Sequence, residues 1–365
     1  MNILYYFKEK DTVMDKWQRV HIFDELERHN VHITVFNPLN FSSIDEANER
    51  LGQFIADRSF DLFMTPHNDS HLFPETLDMI KRKGVPTLLI CFDNLIIPYY
   101  HKKIAACFDL VWLTSRETKN MFIQWGAKVI SNSYAANPYY FKPKMNDEYA
   151  RIAFIGSPYG SRVNMINSLT ENAVKVSLYS NIAANSNNSS NTSTIAAYLR
   201  SAVDLIKYDI GRKVILGAVI QKLSTTHVLN EDKYLEINPA VGLEELGRLY
   251  SKYALSLSST AARNTGVLKR PVHIVNLRSF EIPMCGGLQI CSYFEELAGY
   301  FHEDREIIFY RSEDELVEKS RFYLQDNNRD LRMKIKTAAR KRAENEHTWF
   351  IRFKKVFDYF GLKYN

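Results

Sequence analysis

Short apolar runs alternate with amphipathic stretches through the first part of the chain. Ile3 to Phe7, Val31 to Phe36, Asp61 to Thr65, Thr87 to Phe92, Asp109 to Thr114 and Lys128 to Ser131 read as strands. Between them, Trp17 to Arg28 and Leu72 to Lys83 carry apolar residues three and four apart, the spacing of a helix with one buried face. The alternation predicts a parallel sheet wound with helices on both faces. Gly84-Val85-Pro86 and Gly126 supply helix stops.

The periodicity breaks at Asn137-Pro138-Tyr139-Tyr140-Phe141-Lys142-Pro143 and in the polar stretch Met145 to Tyr149, which reads as a linker. A second set of elements follows. Arg151 to Ser157 reads as a strand ending in glycine, Val163 to Leu169 as a helix, and Lys233 to Ile237 as a strand. The helix Gly242 to Lys252, the strand Ala254 to Leu257, the apolar strand after the Gly286-Gly287 break and the strand Glu306 to Tyr310 complete a second doubly wound domain. Ser180 to Thr194 is crowded with Asn, Ser and Thr and predicts a mobile surface loop, while Ile195 to Ser224 reads as a helical insertion. Charged helices run from Glu313 to Glu346, and the aromatic-rich helix Trp349 to Phe360 is expected to brace one domain against the other. The expected division is 1–143, 151–345 with an insertion at 180–224, and 346–365.

Composition narrows this picture. At 365 residues the chain exceeds one ordinary core, and 45% hydrophobic content is that of a globular protein. No apolar run is long enough to cross a bilayer, and Met1 to Phe7 lacks a basic region and cleavage site, so the cytoplasm is the expected location. Cys91, Cys107, Cys285 and Cys291 lack CxxC spacing and read as buried thiols; no metal-ligand cluster is visible. A net charge of +5 suits an anionic ligand or a membrane surface without marking a nucleic-acid binder. The run Arg332, Lys334, Lys336, Arg340, Lys341, Arg342 reads as a solvated face, with anionic membrane contact as its alternative.

Three places carry candidate chemistry. Residues just past parallel strand ends gather on one rim, here Lys8 to Lys16, His67-Asn68-Asp69, Asp93-Asn94 and Ser115-Arg116. His67 either touches ligand or caps a loop, and Asp93 is equally an N-cap. Second, the turn Gly156-Ser157-Pro158-Tyr159-Gly160-Ser161-Arg162 presents backbone amides and an arginine suited to a diphosphate, without being a Walker loop or a full GxGxxG. Third, Glu281 stands before the break Gly286-Gly287. It reads as a nucleotide contact or as a solvated helix residue ahead of an ordinary C-cap glycine.

Taken together these segments resemble the spore-maturation-protein CgeB-like glycosyltransferases, a branch of the group 1, family 4-like retaining enzymes of GT-B architecture. The resemblance is strongest from about Glu236 to Phe357: Asn276-Leu277-Arg278-Ser279-Phe280-Glu281, Cys285-Gly286-Gly287, Glu296-Leu297, Glu306 to Tyr310, and Glu346-His347-Thr348 with Arg352. A looser likeness covers Phe154-Ile155-Gly156-Ser157 with Arg162, Phe92-Asp93, and Asn137-Pro138 with Phe141 and Pro143. It implies two Rossmann-like domains facing across a cleft, with a nucleotide-sugar, UDP- or GDP-linked, held by the C-terminal domain as substrate and no separate cofactor or metal. Glu281 would accept hydrogen bonds from ribose hydroxyls, with Gly286 and Gly287 beside it. Gly156, Ser157 and Arg162 would hold the diphosphate, Arg278 or Lys269 would offset charge on the leaving group, and His67, Lys16 and Asp93 would line the acceptor side. Related retaining enzymes commonly carry an acid eight positions before the ribose-binding Glu; here that position is His273.

The expected function is therefore sugar transfer from a nucleotide-sugar to a glycan, lipid-linked or protein acceptor in cell-surface glycan assembly, in the cytoplasm or at the inner membrane surface. Three alternatives stay open: transfer to modified DNA bases, a nucleotide-sugar epimerase, and a non-catalytic nucleotide-sugar-binding protein.

Overall fold

A computed structural model describes residues 1–10, 12–144, 148–181, 203–223, 228–230 and 232–364. The chain divides into two units, residues 1–137 with 349–365, and residues 138–348. Most of the loop expected at Ser180 to Thr194 lies outside the described residues, as do 195–202 and 224 of the expected insertion.

The first unit holds six parallel strands: β1 (Asn2–Tyr6), β2 (His32–Phe36), β3 (Leu62–Thr65), β4 (Thr87–Cys91), β5 (Leu110–Leu113) and β6 (Val129–Ser131). Their order in the sheet is β2-β1-β3-β4-β5-β6. The register sets Leu4 beside Thr34 and Phe63. Side chains alternate between faces along a strand. Leu4, Tyr6, Phe63, Leu89, Cys91, Val111 and Leu113 accordingly share one core with Leu51 and Ile55 of the helix Ile44–Ala56 and with Leu77 and Ile80 of the helix Pro74–Arg82.

On the opposite face Tyr5 stacks on Phe7 and meets Phe23 edge-on, while Trp112 lies against Trp349 and Phe353. The helix Trp349–Phe360 is thus part of this unit. Its first turn is capped from afar, because the fully buried Glu25 accepts the backbone N–H groups of Trp349 at 3.1 Å and Phe350 at 2.8 Å. A carboxylate at a helix N-terminus satisfies amides that have no partner within the helix and opposes the positive end of its dipole. The indole N–H of Trp349 donates to His21 Nδ1 at 3.1 Å, and Asn132 donates to the Arg352 carbonyl at 2.9 Å. The sequence predicts a helix bracing two domains; the contacts described here lie within the first unit.

The second unit holds β7 (Tyr149–Ile155), β8 (Val176–Tyr179), β9 (Leu235–Asn238), β10 (Tyr253–Ser258), β11 (Gln289–Ser292) and β12 (Ile308–Tyr310), all parallel, in the order β12-β11-β10-β7-β8-β9. Strand β8 is the element that the apolar pattern does not announce. Ile152, Phe154, Leu178, Leu255, Leu257, Ile290 and Ile308 form the core with Ile166, Leu169, Leu316 and Ile335.

The basic run expected to be a solvated face is largely internal to this unit. Arg332 and Lys336 are buried and both bind Glu148, Lys336 at 2.6 Å, while Lys336 also donates to the Tyr253 carbonyl at 2.9 Å. Arg340 donates to the carbonyls of Phe141 and Met284, and Arg342 pairs with Glu306 and Glu346. Burial works against charge on Glu148, but the hydrogen bonds and charges of Arg332 and Lys336 outweigh it and hold its pKa below the ordinary carboxylate value.

Candidate functional site

In the second unit the chain leaves β7 for β8 and β9 on one side, then returns to β10 on the other side of β7. This is the strand order of dinucleotide-binding sheets, in which ligands occupy the crevice past the carboxyl ends of the two strands where the order reverses. Those strands are β7 and β10, so the crevice begins at Gly156 and at Ser259-Thr260.

Gly156 follows β7 with φ of +139°, a conformation that a side chain disfavours. A Cβ placed there would lie 2.8 Å from Arg278 Nη2, so the arginine of the helix Arg278–Met284 is pressed against the turn. Ser157 is exposed, and its carbonyl accepts from Arg162 Nη1 at 3.2 Å. The Arg162 guanidinium also lies over the Tyr159 ring, 4.3 Å from its centroid. Burial lowers the Arg162 pKa; Tyr159 opposes that shift and the charge of Arg278 adds to it. Two arginines therefore converge on one glycine turn, and neither pairs with a carboxylate among the described residues. Desolvated like charges are costly unless an anion lies between them.

Behind Arg278 lies a buried cluster. Tyr250 is 2% and Glu281 4% exposed, and Cys285 is buried one turn along the helix from Glu281. Burial raises the Tyr250 hydroxyl pKa well above its ordinary value; the charge of Arg278 opposes this, and Glu281 and Cys285 reinforce it. Glu281 is thus not a solvated helix residue. Gly286, with φ of +71°, faces Pro143, and a Cβ on Gly287 would lie 2.8 Å from the Tyr250 carbonyl oxygen. Both glycines serve close packing within the unit, and no described contact joins them to the Gly156 turn.

His273 sits past β10, its Nδ1 2.9 Å from Thr260 Oγ1, which lies 2.8 Å from Ser292 Oγ at the end of β11. Its ring stacks on Phe294 with centroids 5.2 Å apart, and burial lowers its pKa. A neutral imidazole in a hydroxyl chain thus stands eight positions before Glu281. Lys269 is solvent-exposed after the turn Arg263–Val267, and no described contact brings it to Arg278.

The first unit has its own reversal point, between β1 and β3. His67 lies across it: its Nε2 accepts the backbone N–H of Lys8 at 2.9 Å. An accepting Nε2 places the proton of the neutral ring on Nδ1. Burial, then His71, Lys8 and His101, lowers the His67 pKa to about 3, so the ring is uncharged at neutral pH and Nε2 is already engaged. Asp93 is exposed past β4 with φ of +55°; it caps no helix, and its Oδ1 accepts from the Tyr134 hydroxyl at 3.2 Å. Lys16 is exposed on the helix Val13–Gln18.

Sequence reasoning does not single out Tyr250, Tyr159 or Gln221. Tyr250 falls on the apolar face of the helix Leu243–Lys252 and reads there as core. The Gln221 amide lies 3.2 Å from where a Cβ on Gly160 would stand, so the helix Asp209–Leu223 closes over the start of the helix Ser161–Glu171. Among the described residues no group of three or more His, Cys, Asp or Glu side chains could hold a metal ion.

Residues 210–358 match the model of a glycosyl transferase-like family. No curated protein matches the chain. Its fold is similar to that of HepE from Anabaena in complex with UDP and glucose, with 12% identity, 99% of each chain covered and a TM-score of 0.56. It is also similar to sucrose-phosphate synthase from Thermosynechococcus elongatus, with 12% identity, 98% of each chain covered and a TM-score of 0.53. An α-glucosyltransferase in complex with UDP-glucose and DNA containing an abasic site shares 12% identity over 99% of this chain and 98% of its own, with a TM-score of 0.62. The two Rossmann-like units are those of the GT-B fold, and the family match together with the fold supports a transferase.

Proposed function

We propose that the chain transfers a sugar from a nucleoside-diphosphate sugar, UDP- or GDP-linked, to a glycan, lipid-linked or protein acceptor, with retention at the anomeric carbon and without a metal or other cofactor. The observation that carries this reading is the convergence of Arg162 and Arg278 on Gly156, in the crevice past β7, where neither pairs with a carboxylate among the described residues. A diphosphate supplies the missing counter-charge. As the glycosidic bond breaks, negative charge grows on the departing phosphate oxygen, and fixed guanidinium groups stabilise that state more than the bound donor. Lys269, on its exposed loop, is assigned a supporting role toward the same oxygen.

Glu281 is assigned to the ribose hydroxyls, as the resemblance to CgeB-like enzymes suggests, and Gly286 and Gly287 to holding its helix end in place. In the first unit His67 is assigned as an Nδ1–H donor to the acceptor, with Lys16 and Asp93 on the same side. A bound, neutral His67 suits positioning better than proton abstraction. The reaction is assigned to the cytoplasm, in cell-surface glycan assembly.

The test is thermal unfolding of the purified chain with nucleoside diphosphates and their sugars, without added metal. A ligand that binds only the folded state raises the apparent midpoint by mass action. A selective shift with one nucleotide, absent in Arg278→Ala, supports the site; equal shifts in both proteins remove it. Modified DNA bases are the second acceptor reading, favoured by the likeness to the α-glucosyltransferase solved with DNA. Duplex binding that falls steeply with salt would support it.

A further inference from the structure

At the carboxyl ends of three neighbouring strands a row of hydroxyls runs across the sheet and ends on an imidazole. Tyr310 closes β12, Ser292 closes β11 and Thr260 follows β10. The Tyr310 hydroxyl donates to Met165 Sδ at 2.8 Å, Thr260 Oγ1 lies 2.8 Å from Ser292 Oγ, and His273 Nδ1 lies 2.9 Å from Thr260 Oγ1. Tyr310 and Thr260 are buried, Ser292 and His273 half-buried.

Each hydroxyl has one proton to donate, and this sets the direction of the row. The proton of Tyr310 is committed to Met165, so its oxygen can only accept. Burial raises the Tyr310 pKa, the charges of Cys291 and Glu313 add to the rise, and a hydrogen bond with Ser292 opposes it. Only a bond donated to the phenol oxygen favours its charged form, so Ser292 is the donor. Ser292 Oγ then accepts from Thr260, and Thr260 Oγ1 accepts from His273. The proton of the neutral ring therefore sits on Nδ1, and Nε2 keeps its lone pair. Burial lowers the His273 pKa and so keeps the ring neutral.

The segment carrying this ring is laid along the crevice. His273 bridges Ala261 in antiparallel fashion, the Ile274 N–H donates to the Thr260 carbonyl at 2.8 Å, and the Asn276 amide donates to the Ser259 carbonyl at 3.1 Å. The chain then enters the helix Arg278–Met284, whose first residue reaches the Gly156 turn. Phe294 stacks on the imidazole with planes 12° apart, so the ring is held in orientation as well as in tautomer. Nε2 has no hydrogen-bond partner among the described residues. A fixed lone pair beside the crevice suits a ligand group with a proton to give, such as a hydroxyl.

We propose that Tyr310, Ser292 and Thr260 hold His273 as a fixed hydrogen-bond acceptor for a hydroxyl of the sugar on the donor. His273 makes the contact, and the other three are positioning residues. The proposal rests on the reading of this crevice as a nucleotide-sugar site.

The experiment is nitrogen-15 NMR of the full chain with labelled histidine, the His273 signals being those lost in His273→Asn. In the free protein at neutral pH, Nδ1 should carry the proton and Nε2 should be bare. Thr260→Val removes the acceptor of that proton, and Ser292→Ala frees the Thr260 hydroxyl to donate to Nδ1; both should move proton population to Nε2. Titrations compare UDP with UDP-glucose and GDP with GDP-mannose. One sugar nucleotide should shift Nε2 more than its diphosphate does and leave the proton on Nδ1. His273→Asn should lower affinity for that sugar nucleotide at least tenfold more than for the diphosphate, and His273→Gln, whose amide reaches the position of Nε2, should recover part of the loss. A proton on Nε2 in the free wild type, or an unchanged tautomer in both Thr260→Val and Ser292→Ala, overturns the proposal. So does a nucleotide that binds while both sugar nucleotides leave Nε2 unmoved, or an equal loss for sugar nucleotide and diphosphate in His273→Asn. If no nucleotide raises the unfolding midpoint, the donor-site reading fails and the sugar contact with it, whereas the tautomer is read in the free protein and is decided separately.

Discussion

Arg278 occupies the space that a side chain on Gly156 would need: its Nη2 stands 2.8 Å from that Cβ position. The sheet thus places a cation at the end of β7 by omitting a side chain. Gly156→Ala should displace the guanidinium and strain the turn. Nucleoside diphosphate affinity should weaken at least tenfold, about 1.4 kcal/mol, in isothermal titration. An unchanged affinity would mean that the arginine is held there for another purpose.

Glu281→Gln keeps the size of a buried side chain and removes its charge. A hydrogen bond to an ionised group contributes about 1.5 to 3 kcal/mol, so nucleoside affinity should fall roughly ten- to hundredfold with the fold retained. The comparison to make is UDP against inorganic diphosphate. Equal losses for both would place Glu281 away from the ribose.

Acid should destabilise the first unit before its carboxylates titrate. His67 and His101 have pKa values lowered to about 3 and about 4, chiefly by burial, against 6.5 for a free imidazole side chain. Between those values the unfolded chain binds more protons than the folded one, so stability falls as pH drops below 6.5. The slope should reach about 1.4 kcal/mol per pH unit for each histidine. His101→Gln can still donate to the Pro66 carbonyl that His101 Nε2 meets at 2.9 Å. Urea midpoints at pH 7 and 5.5 should differ less in that variant than in wild type; the same difference in both would assign the acid sensitivity elsewhere.

Glu25→Ala removes the carboxylate that caps the helix Trp349–Phe360. The expected loss is about 2 kcal/mol or more, since one buried and one half-buried amide lose a charged acceptor. Trp17, Trp112, Trp125 and Trp349 all belong to the first unit, so tryptophan fluorescence follows it alone. A midpoint in urea equal to wild type would show that water replaces the cap at no cost.

Glu148→Ala tests the second unit in the same way. It leaves Arg332 and Lys336 buried without their acid, a change that costs about 3 to 5 kcal/mol for comparable pairs. The transition should move in far-ultraviolet circular dichroism and not in tryptophan fluorescence. Coincident movement of both signals would contradict independent unfolding.

All six strands of the first sheet can be read from the apolar pattern, because each is a short apolar run bounded by polar or turn residues, buried almost throughout in β1, β3, β4 and β5 and half-buried in the edge strands β2 and β6. Strand β8 escapes that reading: Val176–Tyr179 follows Asn172-Ala173 without a glycine or proline to mark its start, and Ala173 takes φ of +62° without being glycine. The basic run misleads for a different reason. Nothing near Arg332 in sequence reveals that Glu148, far away along the chain, neutralises it. Of the candidate site, Gly156, Arg162 and Arg278 stand out in sequence as separate motifs; their convergence depends on the strand order, and Tyr250 is legible only as core. Lys269 and Lys16 show why charge alone locates little: both are exposed, and exposure is where lysines ordinarily lie.

The C-terminal helix has a consequence for how the molecule is made. Trp349 fills the space among Trp17, His21, Trp112 and Tyr134, yet it follows the whole second unit in the chain. On the ribosome, residues 138–348 emerge as a continuous stretch able to fold while the first unit still lacks its last piece. The unit whose sheet is synthesised earlier is therefore expected to close later. Stalled chains ending at residue 348 should show a protease-resistant second unit beside a cleavable first one; resistance of both would show that the first sheet closes without its final helix.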